Sequence, residues 1–235
     1  MKLLLLSTSR VYGAGYLDYC EDWITRHFQH KQLTFIPYAR PGGLTYDQYT
    51  NIARNKLVEL GYAVTGVHEY ADPNSALAST GGIFIGGGNT FLLLKTLVET
   101  GVFQAVRTAV ADAGVPYMGA SAGSNVAGQS ICTTNDMPIV YPPQFESFGF
   151  IPFNINPHYL DPVEGLKHMG ETRETRIKEF HTQQETPVVG LREGSALQVL
   201  NGKISLLGQH TARIFRPGRE PTEWDASGHW QDLAS

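Results

Sequence analysis

A serine at the centre of a small-residue turn is the first feature of this chain that could do chemistry. Residues 119–123 read GASAG and fit the G-x-S-x-G pattern, with a strand-like apolar run at 115–119 before them and a helix-like stretch through Val126 after them. In such a turn the serine hydroxyl is exposed, and the following helix directs backbone N–H groups toward developing negative charge. Ser121 is therefore a candidate nucleophile for acyl transfer, although a plain strand-to-helix loop would have the same composition.

A second glycine loop strengthens this interpretation. Residues 86–89 read GGGN and also join a predicted strand to a predicted helix. If the two strands are neighbours, the N–H groups of this loop can converge with that of Ala122 to form an oxyanion hole, usually worth several kcal/mol to a transition state. The competing reading is a phosphate-binding loop, but Phe91 stands where a third glycine would be needed and no Walker lysine pattern is present.

A serine nucleophile needs a base, and the base needs an acid. Of the eight histidines, His158 stands apart because it follows a proline in a segment without helical period, although an ordinary loop histidine would fit the same pattern. The candidate acids are Glu193, Asp136 and Asp161. Glu193 is best placed, since it follows a predicted strand at 187–191 and catalytic groups of open parallel sheets gather beyond the carboxyl ends of strands. Asp136 remains a rival.

The elements that must position these residues follow an α/β pattern in the first half of the chain. Short apolar runs predict strands at 2–6, 33–37, 64–67, 83–85 and 115–119. Amphipathic spacing predicts helices at 16–30, from the Thr45/Gln48 capping box to about Gly61, from Asp72, from Thr90 or Phe91, and at 102–113. This alternation is typical of an α/β, three-layer fold with an open, mostly parallel sheet and helices on both faces.

The second half has a different character. Residues 130–159 show no sustained period, which predicts long ordered loops or short hairpins. Further predicted elements are a helix at 170–183, a strand at 187–191, a hairpin of 196–200 and 203–207 around an Asn-Gly turn, and a last strand at 211–215. We therefore expect one α/β catalytic domain over residues 1–217 and a weakly ordered C-terminal tail over 218–235.

Composition excludes several classes of function. The chain has 235 residues, 42% of them hydrophobic, and a formal net charge of −4 without a basic run, so nucleic acid is not an expected partner. The N-terminal apolar run is too short for a signal peptide or a membrane span. The two cysteines form no CxxC pair, so nothing calls for a disulfide framework or a thiolate metal site. We expect a globular cytoplasmic protein.

Several stretches in order resemble one family over nearly the whole chain to about residue 215. They are FIGGGNTF at 84–91, SAGSN at 121–125, TTNDMPIV at 133–140, NINPH at 154–158, GETRETRI at 170–177 and EG at 193–194. These segments are similar to peptidase E, the cytoplasmic α-aspartyl dipeptidases, which are serine peptidases. The resemblance implies a flavodoxin-like fold of the class I glutamine amidotransferase type.

The resemblance also implies roles for individual residues. Ser121 is expected to be the nucleophile, His158 the base and Glu193 the third member of the triad, with Gly88 and Ala122 as oxyanion donors. The implied substrate is a dipeptide with N-terminal aspartate (Asp-X), and the implied chemistry needs no metal or cofactor.

Substrate binding requires a cation for the aspartate side chain. We expect Arg173 to supply it and Asn89 and Asp136 to contribute to the same site. The alternative for Arg173 is an exposed helix residue paired with Glu171 or Glu174.

Two other functions remain open from the sequence. A small serine esterase of another α/β class would have the order serine, acid, histidine, which would require Asp136 or Asp161 followed by His210 or His229. A non-catalytic binding module of the amidotransferase-like fold would carry the same architecture without turnover. The sequence leaves open whether the protein is a monomer or a homodimer.

Overall fold

The computed structural model describes residues 1–162 and 170–233. The strands are β1 (Lys2–Leu6), β2 (Gln32–Ile36), β3 (Ala63–Gly66), β4 (Ile83–Ile85), β5 (Tyr117–Ala120), β6 (Asn154–Pro157), β7 (Val188–Leu191), β8 (Ala196–Leu200), β9 (Lys203–Leu207), β10 (Ala212–Phe215) and β11 (Thr222–Trp224). The α-helices are α1 (Glu21–His27), α2 (Tyr46–Glu59), α3 (Pro73–Ser79), α4 (Thr90–Glu99), α5 (Val102–Ala111), α6 (Ala122–Asn125) and α7 (Arg173–Phe180).

The main sheet has seven strands in the order β3-β2-β4-β5-β1-β8-β9. Its first five strands are parallel, and β8 and β9 add an antiparallel hairpin at one edge. Alternate residues of β1 face opposite layers: Leu3 and Leu5 pack with α4 and α5, whereas Leu4 and Leu6 pack with α1 and α2. Burial on both faces explains the continuous apolar runs of these strands. The expected mostly parallel sheet with helices on both faces is confirmed.

A second sheet, which the sequence did not predict, has the order β11-β10-β7-β6. Its strand β6 lies within the segment expected to form loops or hairpins, and it pairs in parallel with β7. The outer edge of β6 is held by side chains instead of another strand. Ile155 O accepts hydrogen bonds from Asn125 Nδ2 (2.8 Å) and Thr133 Oγ1 (3.1 Å), and Pro157 O accepts one from Asn135 Nδ2 (2.6 Å).

The C-terminal segment also differs from the expected weakly ordered tail. Strand β11 pairs antiparallel with β10, and Trp230 and Leu233 are buried against the main core. Trp230 donates its indole N–H to Asp225 O (2.8 Å) and packs edge-on against Trp224. A few widely spaced apolar side chains therefore anchor a segment whose composition is mainly polar, while residues 234–235 lie outside the described residues.

Helix boundaries follow local capping. The capping box that opens α2 is present: Thr45 Oγ1 accepts from Gln48 N–H, and Gln48 Oε1 accepts from Thr45 N–H. The helix expected at 16–30 is shorter, with a 3₁₀ turn at Asp18–Cys20 before α1. In the described parts of the chain, every helix is too short or too polar to cross a bilayer.

Candidate active site

Ser121 follows β5 at the carboxyl edge of the main sheet, in a turn that only small neighbours permit. Its φ is 52°, a left-handed value that is strained for a residue with a side chain, and its N–H donates to Leu6 O (3.0 Å). A Cβ on Gly119 would collide with the Gly123 carbonyl, and a Cβ on Gly123 with the Ile85 carbonyl. The tight approach of strand, turn and helix explains why the pentapeptide reads GASAG.

Two sets of backbone N–H groups are available beside this serine. The carbonyl of Ser121 accepts hydrogen bonds from the N–H groups of Ser124 and Asn125, both at 2.9 Å. Within residues 1–162 and 170–233, the N–H groups of Ala122 and Gly123 have no acceptor. They lie at the start of α6, where helix geometry leaves the first donors unpaired. An anion forming at Ser121 can accept hydrogen bonds from them.

The glycine loop after β4 supplies the second set. Gly86 N–H donates to Ile36 O (3.2 Å) and Asn89 N–H to Ala39 O (2.6 Å), whereas the described residues offer no acceptor to the N–H groups between them. The middle of the loop contacts the nucleophile, because a Cβ on Gly87 would lie 3.1 Å from Ser121 Cβ. The two glycine loops therefore lie side by side at Ser121, and convergence of their N–H groups on an oxyanion stays a prediction.

His158 reaches Ser121 from the second sheet. It directly follows β6, and its Nε2 lies 2.9 Å from Ser121 Oγ. Its φ of 53° is also left-handed, so both members of this pair stand in strained backbone. A bridge beneath it joins the two sheets: His158 N–H donates to Ser7 Oγ (3.0 Å), and the Ser7 hydroxyl donates to Leu191 O (2.7 Å).

Glu193 completes the series. Because β6 and β7 are parallel with Pro157 opposite Leu191, the residues that follow the two strands meet at one edge. Glu193 Oε1 lies 2.6 Å from His158 Nδ1. A carboxylate at this distance accepts a hydrogen bond from Nδ1–H, which leaves the Nε2 lone pair facing the Ser121 hydroxyl.

The other candidate acids are engaged elsewhere. Asp136 Oδ2 accepts hydrogen bonds from Thr90 N–H (2.8 Å), Thr90 Oγ1 (2.7 Å) and Thr134 Oγ1 (3.0 Å), so this carboxylate sits at the N-terminus of α4. Asp161 accepts two hydrogen bonds from the Arg192 guanidinium, at 2.8 and 2.6 Å.

Arg173 lies at the start of α7. It does not form the ion pair with Glu171 or Glu174 that an ordinary exposed helix residue would form here. Glu171 pairs with Arg176 (3.8 Å) and Glu174 with Arg213 (2.9 Å), while Arg173 has no ion pair with any described residue. Burial, and then repulsion from Arg176, lowers the pKa of Arg173, and the negative charge of Asp136 opposes this shift. This half-buried guanidinium near Asp136, which no described residue pairs with, can bind an anionic group.

Asn89 has a structural use. Its Oδ1 accepts from Leu92 N–H (3.0 Å) and caps α4, and its Nδ2 donates to Met137 O (2.8 Å). Contact between this side chain and a substrate stays a prediction.

Ser7 is a further residue of this site, and no motif in the sequence marks it. It is fully buried and directly follows β1, so the strand-end rule that favoured Glu193 also applies to it. The histidines that the esterase order would require, His210 and His229, are exposed, and the imidazole beside Ser121 is that of His158.

Comparisons with known proteins find similar sequences over most of the chain and a similar fold. The sequence profile of peptidase family S51 matches residues 3–207. The chain is 49% identical over 224 residues to a protein of Streptomyces coelicolor named peptidase E, covering 95% of this chain and 90% of that one. It is 46% identical over 217 residues to a Drosophila melanogaster protein named as a probable alpha-aspartyl dipeptidase, with 91% and 89% covered. A crystal structure of a peptidase from an acI-B1 Actinobacterium has the same fold, with a TM-score of 0.70, 16% identity and coverage of 97% and 95%.

Proposed function

Because this chain belongs to peptidase family S51, we propose that it is a serine peptidase that hydrolyses dipeptides with an N-terminal aspartate. The observation that carries the proposal is the hydrogen-bonded series from Ser121 Oγ to His158 Nε2 (2.9 Å) and from His158 Nδ1 to Glu193 Oε1 (2.6 Å). The name of the Drosophila relative at 46% identity supports the substrate class, and that of the Streptomyces relative at 49% supports a peptidase.

The first half of the reaction forms an acyl-enzyme. His158 Nε2 takes the proton of the Ser121 hydroxyl while Oγ bonds to the carbonyl carbon of the aspartyl residue. The carbonyl oxygen becomes an oxyanion that accepts hydrogen bonds from the N–H groups of Gly88 and Ala122. When this intermediate collapses, the C–N bond breaks, His158 gives its proton to the departing amine, and aspartate remains esterified to Ser121.

The second half returns the enzyme to its starting state. A water molecule gives a proton to His158 and bonds to the ester carbon, and the same N–H groups stabilise the second oxyanion. The bond to Ser121 Oγ then breaks, the serine regains its proton from His158, and aspartate is released. Glu193 holds the imidazole in one tautomer and stabilises its protonated form in both halves.

Arg173 is the group that we propose selects aspartate. A carboxylate at this guanidinium would gain a charge-assisted hydrogen bond, worth about 1.5–3 kcal/mol. An asparagine in the same place would lose that contribution. The expected preference for Asp-X over Asn-X is therefore about 10- to 150-fold in kcat/KM.

A panel of dipeptides tests the substrate class. Purified protein is assayed with Asp-Leu, Glu-Leu, Asn-Leu, Gly-Leu and N-acetyl-Asp-Leu. The proposal expects Asp-Leu to have the highest kcat/KM, and Ser121→Ala to lower its kcat by about 10³-fold or more. Equal turnover of Asn-Leu and Asp-Leu would overturn the substrate assignment, and full activity of Ser121→Ala would overturn the serine mechanism.

A matched pair of arginine variants tests the origin of the preference. Arg173→Met is expected to lower kcat/KM for Asp-Leu to about the value for Asn-Leu. Arg176→Met, on the same helix and 60% exposed, is the control and is expected to retain the preference. Loss of the preference in both variants, or in neither, contradicts the role of Arg173.

A further inference from the structure

We propose that Tyr49 is a positioning residue whose hydroxyl fixes the direction of the Gly88 N–H, and that turnover depends on that hydroxyl. The inference rests on the proposed function, in which Gly88 donates to the oxyanion. Tyr49 belongs to α2, and nothing in its helical position marks it as more than a core residue.

The Tyr49 side chain is buried under the glycine loop. It is 1% exposed, its ring packs edge-on against Phe35, and its hydroxyl donates to Gly87 O (3.0 Å). Burial raises the pKa of Tyr49 above its ordinary value, which keeps the hydroxyl protonated as a donor. Among the described residues, no other group donates to Gly87 O.

The direction of one carbonyl decides the direction of the next N–H. A peptide unit is planar and trans, so the C=O of Gly87 and the N–H of Gly88 point in opposite directions. No cis peptide bond occurs in the residues that the structure describes. With Gly87 O pointing to Tyr49, the Gly88 N–H points away from Tyr49.

The side opposite Tyr49 is the side of the nucleophile. A Cβ on Gly86 would collide with the Tyr49 hydroxyl, whereas a Cβ on Gly87 would lie 3.1 Å from Ser121 Cβ. Tyr49 and Ser121 thus flank the loop from opposite faces. A Gly88 N–H directed away from the tyrosine is directed toward the serine side.

The Gly87–Gly88 peptide unit needs the restraint from Tyr49 because no backbone hydrogen bond among the described residues holds it, whereas the N–H groups on either side of the two glycines are held. The N–H groups of Gly86 and Asn89 are bound to Ile36 O and Ala39 O. Between them, Gly87 and Gly88 lack side chains that would limit rotation, and Gly88 has a φ of 145°, a value that side chains rarely allow. Rotation of the unit would turn the donor away from the oxyanion and present a carbonyl oxygen instead.

Two tyrosine-to-phenylalanine variants test the inference. Tyr49→Phe removes the hydroxyl and keeps the ring. Tyr62→Phe is the matched control, because Tyr62 is 2% exposed and donates a hydrogen bond to Phe28 O (2.9 Å). Tyr62 directly precedes β3 and so lies at the amino ends of the parallel strands, whereas Ser121 lies at their carboxyl ends. Both variants are assayed with Asp-Leu below their melting temperatures, with kcat expressed per folded molecule. Binding of the α-boronic acid analogue of aspartate, which forms a tetrahedral anionic adduct with serine, is measured in parallel.

The expected result separates a role in the oxyanion hole from a loss of packing. Tyr49→Phe should lower kcat about 10- to 100-fold, below the roughly 10²- to 10³-fold loss when an oxyanion donor is deleted outright. Its KM should change by less than about twofold, its boronate affinity should fall by the same factor as kcat, and Tyr62→Phe should match wild type in all three.

If Tyr49→Phe had the same kcat as Tyr62→Phe and also the same boronate affinity, the proposed role of Tyr49 would be overturned. A rise in KM with kcat intact would also overturn it. Wild-type protein that neither hydrolyses Asp-Leu nor binds the boronate would instead overturn the proposed function, so the two failures are distinguishable.

Discussion

Replacing Ser7 with alanine should weaken both the fold and the reaction, because its hydroxyl joins the two sheets directly beneath His158. In Ser7→Ala the partly buried N–H of His158 loses its acceptor, whereas Leu191 O keeps the hydrogen bond from Tyr159 N–H (3.1 Å). One unsatisfied buried donor costs about 1–3 kcal/mol in the free energy of unfolding. For a chain of this size each kcal/mol lowers Tm by about 2–4 °C. The His158 backbone, already at a positive φ, also loses a restraint, and a shift of about 1 Å at a catalytic group can lower the rate by about 10²-fold.

Urea unfolding and the kcat for Asp-Leu measure the two effects. Ser195→Ala is the matched control, because Ser195 is equally buried and its hydroxyl has no hydrogen-bond partner among the described residues. Ser195→Ala removes an unpaired buried hydroxyl and should be at least as stable as wild type with unchanged kcat, while Ser7→Ala should lose about 1–3 kcal/mol and at least about tenfold in kcat. Identical stability and identical kcat in the two variants would refute the argument that this bridge holds His158.

Further predictions concern the acid and the pH dependence of stability. Glu193→Gln should lower kcat by about 10²- to 10⁴-fold with little change in KM, because the amide cannot hold His158 in the reactive tautomer. Asp136→Asn should act mainly on KM and on stability through the N-terminus of α4, and a loss confined to kcat would reverse the two assignments. Burial lowers the pKa of His27 to about 3, so between about pH 6.5 and 3 only the unfolded state gains this proton. Stability should therefore fall with decreasing pH, by about 2 kcal/mol between pH 8 and 5 from this group. In urea unfolding that contribution should vanish in His27→Gln, and an unchanged pH dependence would contradict it.

The parts of the site that sequence could predict are those encoded over a few residues. The turn at 119–123 and the loop at 86–89 need small residues because strand, turn and helix approach within contact distance, and that requirement is visible in the sequence. The order of chemistry-bearing residues, with His158 between Ser121 and Glu193, distinguished this arrangement from an esterase.

The second sheet could not be read from the same signals. Strand β6 reads NINP, which is only four residues long and ends in proline, so its pattern is too short to predict a strand. Its Ile155 carbonyl is satisfied by the side chains of Asn125 from α6 and Thr133 from the loop that follows α6, and only the assembled fold provides these partners. Glu193 was expected at the edge of one open parallel sheet. It instead follows β7 of the second sheet, and the meeting of the two sheets creates the site.

The hydroxyls of Ser7 and Tyr49 could not be predicted from the sequence for a different reason. Ser7 lies 151 residues from the His158 N–H that it accepts, and Tyr49 lies 38 residues from the Gly87 carbonyl to which it donates. Neither spacing follows a helical or strand period, so only the assembled fold brings these pairs together. The C-terminal segment was misjudged for a related cause, since Trp230 and Leu233 are isolated apolar residues in a polar context.

The most direct test of the account is the kcat for Asp-Leu of His158→Ala beside that of His210→Ala. If the imidazole 2.9 Å from Ser121 Oγ moves the proton, His158→Ala should lose about 10³-fold or more, whereas the exposed His210 should be dispensable. Near-normal kcat in His158→Ala, or a comparable loss in His210→Ala alone, would contradict the acyl-transfer mechanism assigned to this site.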